Sequence, residues 1–359
     1  MFEPAYRISP AISRALMQIE AVRQAIVNLP IGVAVLNSLR ETARLATTHY
    51  STQIEGNRLT LPEVREALAG ARFPGRERDG TEVKYHFKAL ELMERLAARP
   101  GAISEDQVKR LHGLVMTGRN RLSPYRTGQN VIRDASTGAI VYMPPEAKDV
   151  PRLTRDLVQW INSEIDKADL PVPIIAGLAH YQFATIHPYF DGNGRTARLL
   201  TTLILHKSGY GLKGIYSLDE HYARDLHAYY RALTVGPGHN YYDGRAEADL
   251  TAFVAYFCAG MASAFTKVRA AAIRSRPLPD HDDAASLRDL DPRQRRLLTL
   301  LRDKGSVTAA EMATHLGLAH RTLVGLARAW ITSGFLEYQS AARKNRSYKL
   351  GTAYLSLLR

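Results

Sequence analysis

The stretch "VPIIAGLAHYQFATIHPYFDGNGRTARLL", residues 172–200, constrains the chain more than any other. Apolar side chains run from Val172 to Ile186 at helical spacing, and Pro188 disfavours the α conformation for the residue before it. A helix over this segment must therefore stop at His187. A second helix is expected to open within Gly192–Asn193–Gly194 and continue through "RTARLLTTLILHKSG". Two helices thus meet at a short corner carrying a histidine, a carboxylate, two glycines and two arginines.

The remaining periodicity is also mostly helical. "SPAISRALMQIEAVRQAIVNL", "AVLNSLRETARLATTHYS" and "LPEVREAL" read as three helices, the last with an early proline. Residues 81–98 read as a fourth, and Ser104 with Gln107 forms a capping box for a fifth. Between Leu122 and Pro151 the period changes, and the alternation around "STG" predicts a small β-hairpin over 130–144. Helices resume with "VPRLTRDLVQWINSEI", and two more are expected at 219–234 and 246–274. The polar stretch 274–286 reads as a linker, and a smaller helical module with two short strands follows it.

Composition narrows the classes. A single cysteine, Cys258, excludes an intramolecular disulfide framework and cysteine-cluster metal sites, and its apolar neighbours mark it as buried filler. No membrane-spanning run and no leader at Met1 are expected, which predicts a cytoplasmic chain with no membrane partner. The net charge is +13; residues 285–359 hold 13 Lys/Arg against 5 Asp/Glu, or +8 of it. A positive tail of this kind suits a polyanion, although a solvated surface has the same composition.

The chemistry sits at the corner. His187 titrates near neutrality and can take a proton from a hydroxyl. Asp191 is the kind of hard oxygen ligand that Mg²⁺ uses beside substrate phosphates. Gly192 and Gly194 permit a concavity of backbone N–H groups at a helix N-terminus, a cradle for phosphate. Arg195 and Arg198 are three residues apart and share a helix face beside it. Together these describe phosphoryl or nucleotidyl transfer to a hydroxyl. No ordinary P-loop is present, and His180 does not complete a zinc-ligand pattern.

"HPYFDGNGRTAR" closely resembles the Fic-domain signature H-x-F-x-[D/E]-G-N-G-R-x-x-R, with Tyr189 where that family prefers phenylalanine. A buried tyrosine at this position needs a partner for its hydroxyl. The resemblance covers roughly residues 40–260 and implies transfer of AMP from ATP, with Mg²⁺, to a hydroxyl of a target protein. It makes His187 the general base and Asp191 the metal holder. Gly192, Asn193 and Gly194 would bind the α- and β-phosphates, Arg195 would grip phosphate, and Arg198 would meet the γ-phosphate. The hairpin, with Ile140, Val141 and Tyr142, would be the flap that aligns a target segment by strand addition. Fold and domains follow: a mainly α, Fic-type helical bundle with a β-hairpin flap, its N-terminal helical region spanning 1–100 and its catalytic core 101–273. The linker 274–286 and a winged helix-turn-helix domain over 287–359 complete the chain.

"STQIEGN", residues 51–57, matches the family's inhibitory motif [S/T]-x-x-x-E-[G/N]. Ser51 and Glu55 would lie on one face at a helix end, with Glu55 competing with the γ-phosphate for Arg198. In some family members the equivalent glutamate instead helps remove AMP, so removal of AMP or transfer of another phosphate-linked group stays open. A regulator in which the Fic fold only senses nucleotide stays open too. Residues 288–350 resemble a winged helix. DNA would then meet Arg321 and Thr322 in the recognition helix and Arg343, Lys344 and Arg346 in the wing; protein contacts or homodimer packing is the alternative. The sequence does not name the target, and the chain itself is one candidate.

Overall fold

The computed structural model describes residues 2–133, 138–236, 238–274, 287–340 and 346–358. The expected linker, apart from Arg274, and the tip of the hairpin lie outside the described residues. The chain divides into two compact units, residues 1–275 and 276–359.

In the first unit, Ser9 opens α1 (Pro10–Val27) by accepting a bond from the Ile12 amide. There follow α2 (Val33–Gln53), α3 (Leu61–Leu68), α4 (Glu77–Ala97) and α5 (Glu105–Thr117). Helix α4 starts four residues before the expected 81, with Glu77 and Asp79 placed favourably at the positive end of its dipole. The flap consists of β1 (Ile132–Arg133) and β2 (Ile140–Tyr142), antiparallel with a register shift. Helices α6 (Val150–Lys167), α7 (Val172–Ile186) and α8 (Asn193–Lys207) form the middle of the unit. Helix α7 is the axis of the core: it is buried on all sides except at Val172 and Ala184. Gly177 lets it approach the helix over Thr251–Arg274 closely, since a Cβ there would stand 2.9 Å from the Phe257 ring.

Two expectations change. The helix expected at 219–234 is broken into α9 (Asp219–Arg224) and α10 (Leu226–Leu233), because Asp225 leaves helical geometry and its side chain caps the Ala228 amide at 2.9 Å. The next helix, α11 (Thr251–Arg274), starts later than 246, where Asp249 accepts from the Thr251 amide at 2.9 Å. The second change concerns the membrane. By length and composition α11 can cross a bilayer, contrary to the sequence reading. Its apolar residues serve the core instead: Phe253, Val254, Phe257, Cys258, Met261 and Phe265 are buried, and α11 packs on α1 and α7. Burial pushes the Cys258 thiol up to about 12, as befits filler rather than a nucleophile.

The second unit contains the helices Pro292–Lys304, Ala309–Leu316 and His320–Thr332. Asp291 and Thr308 form capping boxes with Gln294 and Glu311. Three strands, Val307–Thr308, Leu336–Ser340 and Ser347–Leu350, pair antiparallel with the last in the centre. Leu297, Leu301, Leu323, Trp330, Phe335 and Leu336 form its core.

Candidate active site

The corner between α7 and α8 is fixed from below. His187 closes α7 in the left-handed region (φ 49°), its amide bonded to Phe183 O at 3.0 Å. Its Nδ1 faces Ala184 O at 3.4 Å, which leaves Nε2 as the acceptor for an incoming proton. Burial first, with Arg126 adding to it, lowers the His187 pKa to about 4, so the ring is neutral at pH 7.

The glycine loop is arranged differently in detail from the expectation. Gly192 caps α8 at φ 76°, and its amide is engaged by Oδ1 of the neighbouring Asp191 at 2.5 Å. The Asn193 side chain does not face the cradle. Its Oδ1 accepts from the Tyr189 amide (2.9 Å) and its Nδ2 donates to Tyr189 O (2.8 Å), stapling the loop shut. The amides of Asn193 and Gly194 are left at the start of α8 without intrahelical acceptors, as helix geometry requires. Tyr189 is buried and stacks on His112 at 3.5 Å, but its hydroxyl finds no partner among the described residues.

Both arginines are buried and bound. Arg198 donates through Nε to Ser51 Oγ (2.9 Å) and through Nη2 to Ser51 O (2.7 Å) and Glu55 Oε1 (2.9 Å). Asp219 lies 3.1 Å from the same guanidinium. Burial opposes the Arg198 charge, but Glu55, Tyr229 and Asp219 outweigh it and hold its pKa above the usual value. The Glu55 carboxylate also covers the start of α8, where a Cβ built on Gly194 would run into Oε1. Arg195 is paired with Glu82 of α4 and lies 3.4 Å from Asp191.

The Asp191 side chain is 56% exposed and, among the described residues, accepts from Gly192 and Arg195, so it can still serve a cation. Among the described residues no three His, Cys, Asp or Glu side chains gather as a metal site. A single exposed carboxylate suits a cation whose other ligands come from a substrate and water. His180, considered above for zinc, is bonded to Thr201 and Tyr229.

Ile140 and Val141 of the flap are exposed, whereas the Tyr142 side chain is buried and donates to Thr185 O at 2.9 Å. Tyr142 is thus an anchor of the flap rather than a residue on its outer face. Arg126, absent from the sequence reading, joins flap to corner: it donates to His187 O and Gly128 O (both 3.0 Å) and to Pro145 O. His112 was missed as well, and its Nε2 meets Asp191 O at 2.9 Å. Nothing in a lone arginine after "SPY", or in a histidine on the apolar face of α5, announces either role. In the second unit, Arg321 and Thr322 are exposed at the start of their helix, and Arg346 lies over the Tyr338 ring at 5.5 Å. Arg343 and Lys344 lie outside the described residues.

Residues 102–205 match the Fic/DOC family. A chain named protein adenylyltransferase fic-1, from Caenorhabditis briggsae, is 32% identical over 212 residues, 57% of this chain and 40% of that one. Protein adenylyltransferase Fic from Drosophila grimshawi is 28% identical over 203 residues, 55% of this chain and 40% of that one. The chain therefore spans about 40% of the length of these curated relatives. Among solved structures, a Fic family protein from Desulfovibrio desulfuricans G20 has a TM-score of 0.66 at 25% identity, covering 98% of this chain and 99% of that one. A Fic-1 fragment from Caenorhabditis elegans gives 0.59 at 26% identity, covering 75% of each chain.

Proposed function

We propose, from the match of residues 102–205 to the Fic/DOC family and the geometry above, that the chain transfers AMP from ATP to a hydroxyl side chain of a target protein and restrains itself through Glu55. The observation that carries this reading is the seat of the Glu55 carboxylate. One anionic group bridges Arg198 and the open start of α8, as a terminal phosphate would.

In the reaction, the target's hydroxyl oxygen attacks the α-phosphorus of ATP, the Pα–O bond to the β-phosphate breaks, and pyrophosphate leaves. His187 Nε2 takes the hydroxyl proton; a bound triphosphate raises that imidazole's proton affinity by its charge. The free amides of Asn193 and Gly194 receive phosphate oxygens, and Arg198, once released from Glu55, meets the γ-phosphate. Asp191 would hold Mg²⁺, which would neutralise phosphate charge there. Val141 and Ile140 present backbone and apolar surface on which the target segment aligns.

Glu55→Gly removes a charge-assisted bond of about 1.5–3 kcal/mol, so labelling is expected to rise about 10- to 150-fold. Mass analysis after incubation with ATP and Mg²⁺ reads this as an added AMP on a Ser, Thr or Tyr. Equal labelling by parent and variant would remove the self-restraint, and a target that loses AMP would reverse the direction of the reaction.

A further inference from the structure

Each motif arginine is held by a carboxylate from the first hundred residues. Glu55 takes Arg198, at 2.9 Å. Glu82, on α4, takes Arg195 with Oε1 in a pair that is nearly closed to solvent, the two side chains being 4% and 10% exposed. The other oxygen of the same carboxylate, Oε2, accepts from Asn57 Nδ2 at 3.0 Å. Asn57 stands two residues beyond Glu55 and is buried. It also donates to Asp79 O at 3.0 Å and accepts the Leu59 amide at 3.1 Å.

We propose that Glu82 is a positioning residue that couples the first motif arginine to the inhibitory turn and so acts on transfer through the seating of Glu55, an effect that rests on the transfer reading above. A carboxylate only accepts, and here each oxygen serves one donor. Glu82 Oε1 takes Nη1 of Arg195, so a phosphate that draws Arg195 towards itself also draws on Glu82. Withdrawal of Oε1 takes Oε2 from Asn57 and loosens the turn that carries Glu55. The coupling runs both ways, since a seated Glu55 keeps Asn57, and through it Glu82, in place. The turn also has room to move. A cavity of about 270 Å³ borders Glu55, Gly56, Arg58 and Glu82, and Gly56, at φ +92°, has open space where a Cβ would stand.

The test uses the whole chain with Asn57→Ala, Glu82→Gln and Glu55→Gly. A glutamine at 82 presents N–H groups on one side and so serves only one of the two donors. Amide exchange over 54–59 is expected to rise about tenfold in both Asn57→Ala and Glu82→Gln, the effect of one hydrogen bond, with α7 unchanged as a control of folding. AMP incorporation from labelled ATP rises by about the same factor. Adding Asn57→Ala to Glu55→Gly changes incorporation less than about twofold, because the group it acts through is gone. Unchanged exchange at 54–59 in Asn57→Ala overturns the proposal, as does a gain that persists in full on the Glu55→Gly background. Should Glu55→Gly incorporate no AMP at all, the transfer reading fails while the exchange data still decide the coupling.

Discussion

The α7–α8 corner and the flap are tied together by Arg126, yet they are built in opposite ways. In the corner the backbone is held at both ends: Phe183 O takes the His187 amide, Asn193 staples Tyr189 twice, and the Tyr189 ring is sealed against His112. The flap has strands of two and three residues with a shifted register, two exposed apolar side chains, and one buried anchor in Tyr142. Chemistry at phosphorus requires a base placed within a fraction of an ångström. Recognition by backbone pairing requires only an edge, and tolerates many sequences. On the proposed reading, catalysis belongs to the corner and adaptability to the flap.

The strongest way to break this contrast is at the corner. His187→Ala removes the proton acceptor and is expected to lower AMP transfer about 10²- to 10⁴-fold. Binding of a non-hydrolysable ATP analogue, measured by calorimetry on the Glu55→Gly background, stays within about threefold, since the phosphates are held by the amides and Arg198. A parallel loss of nucleotide affinity would mean that His187 builds the cradle rather than acting on the hydroxyl.

A second expected effect is on stability. Burial, above all, holds the pKa values of His187 and His112 at about 4. The unfolded chain takes up these protons near 6.5, so it binds more protons than the folded one between the two values. The stabilisation is therefore complete above pH 6.5 and is lost as pH falls towards 4. Each ring contributes up to about 1.4 kcal/mol per pH unit across that window. Thermal melts from pH 7.5 to 4.5 measure it, and amide exchange in the corner is expected to rise on acidification before exchange in the flap changes.

How much of this was legible in the sequence follows the same division. The corner was readable because proline and glycine act locally: Pro188 stops one helix and the glycines allow the next to start with its amides open. The contact of Glu55 with Arg198 was also foreseeable, because the two motifs name complementary charges. Glu82 and Arg126 were not, since their partners are set by how α4 and the flap lie across the corner, and neither has a neighbour in sequence that signals it. Asn193 was read as a phosphate ligand because the family resemblance implies one there; only the fold shows its side-chain oxygen and nitrogen both bonded to Tyr189 within the loop. The break at Asp225 was within reach, as an aspartate three residues before Ala228 is an ordinary cap. It was obscured by apolar periodicity continuing on both sides.

The flap offers a smaller effect that sharpens the comparison. Val141→Pro removes one backbone donor from the flap strand at a residue whose side chain is exposed and whose carbonyl faces His239, and it keeps the Tyr142 hydroxyl that anchors the flap. Target labelling is expected to fall about three- to tenfold, the value of one hydrogen bond, with analogue binding unchanged. Equal labelling of a target by parent and variant would show that docking does not use this edge.

The smallest effect lies at Tyr189. Its ring is 2% exposed, and its hydroxyl has no partner among the described residues. A buried donor left unpaired costs about 1–3 kcal/mol, part of which is recovered when the oxygen is removed and a small void remains. Tyr189→Phe keeps the stack on His112 and is expected to raise stability by about 0.5–1 kcal/mol, with AMP transfer unchanged within about twofold. Denaturant unfolding of both proteins gives the difference directly. A loss of stability in the phenylalanine variant would mean that ordered water satisfies the hydroxyl, and that the corner is sealed by a polar contact rather than by packing alone.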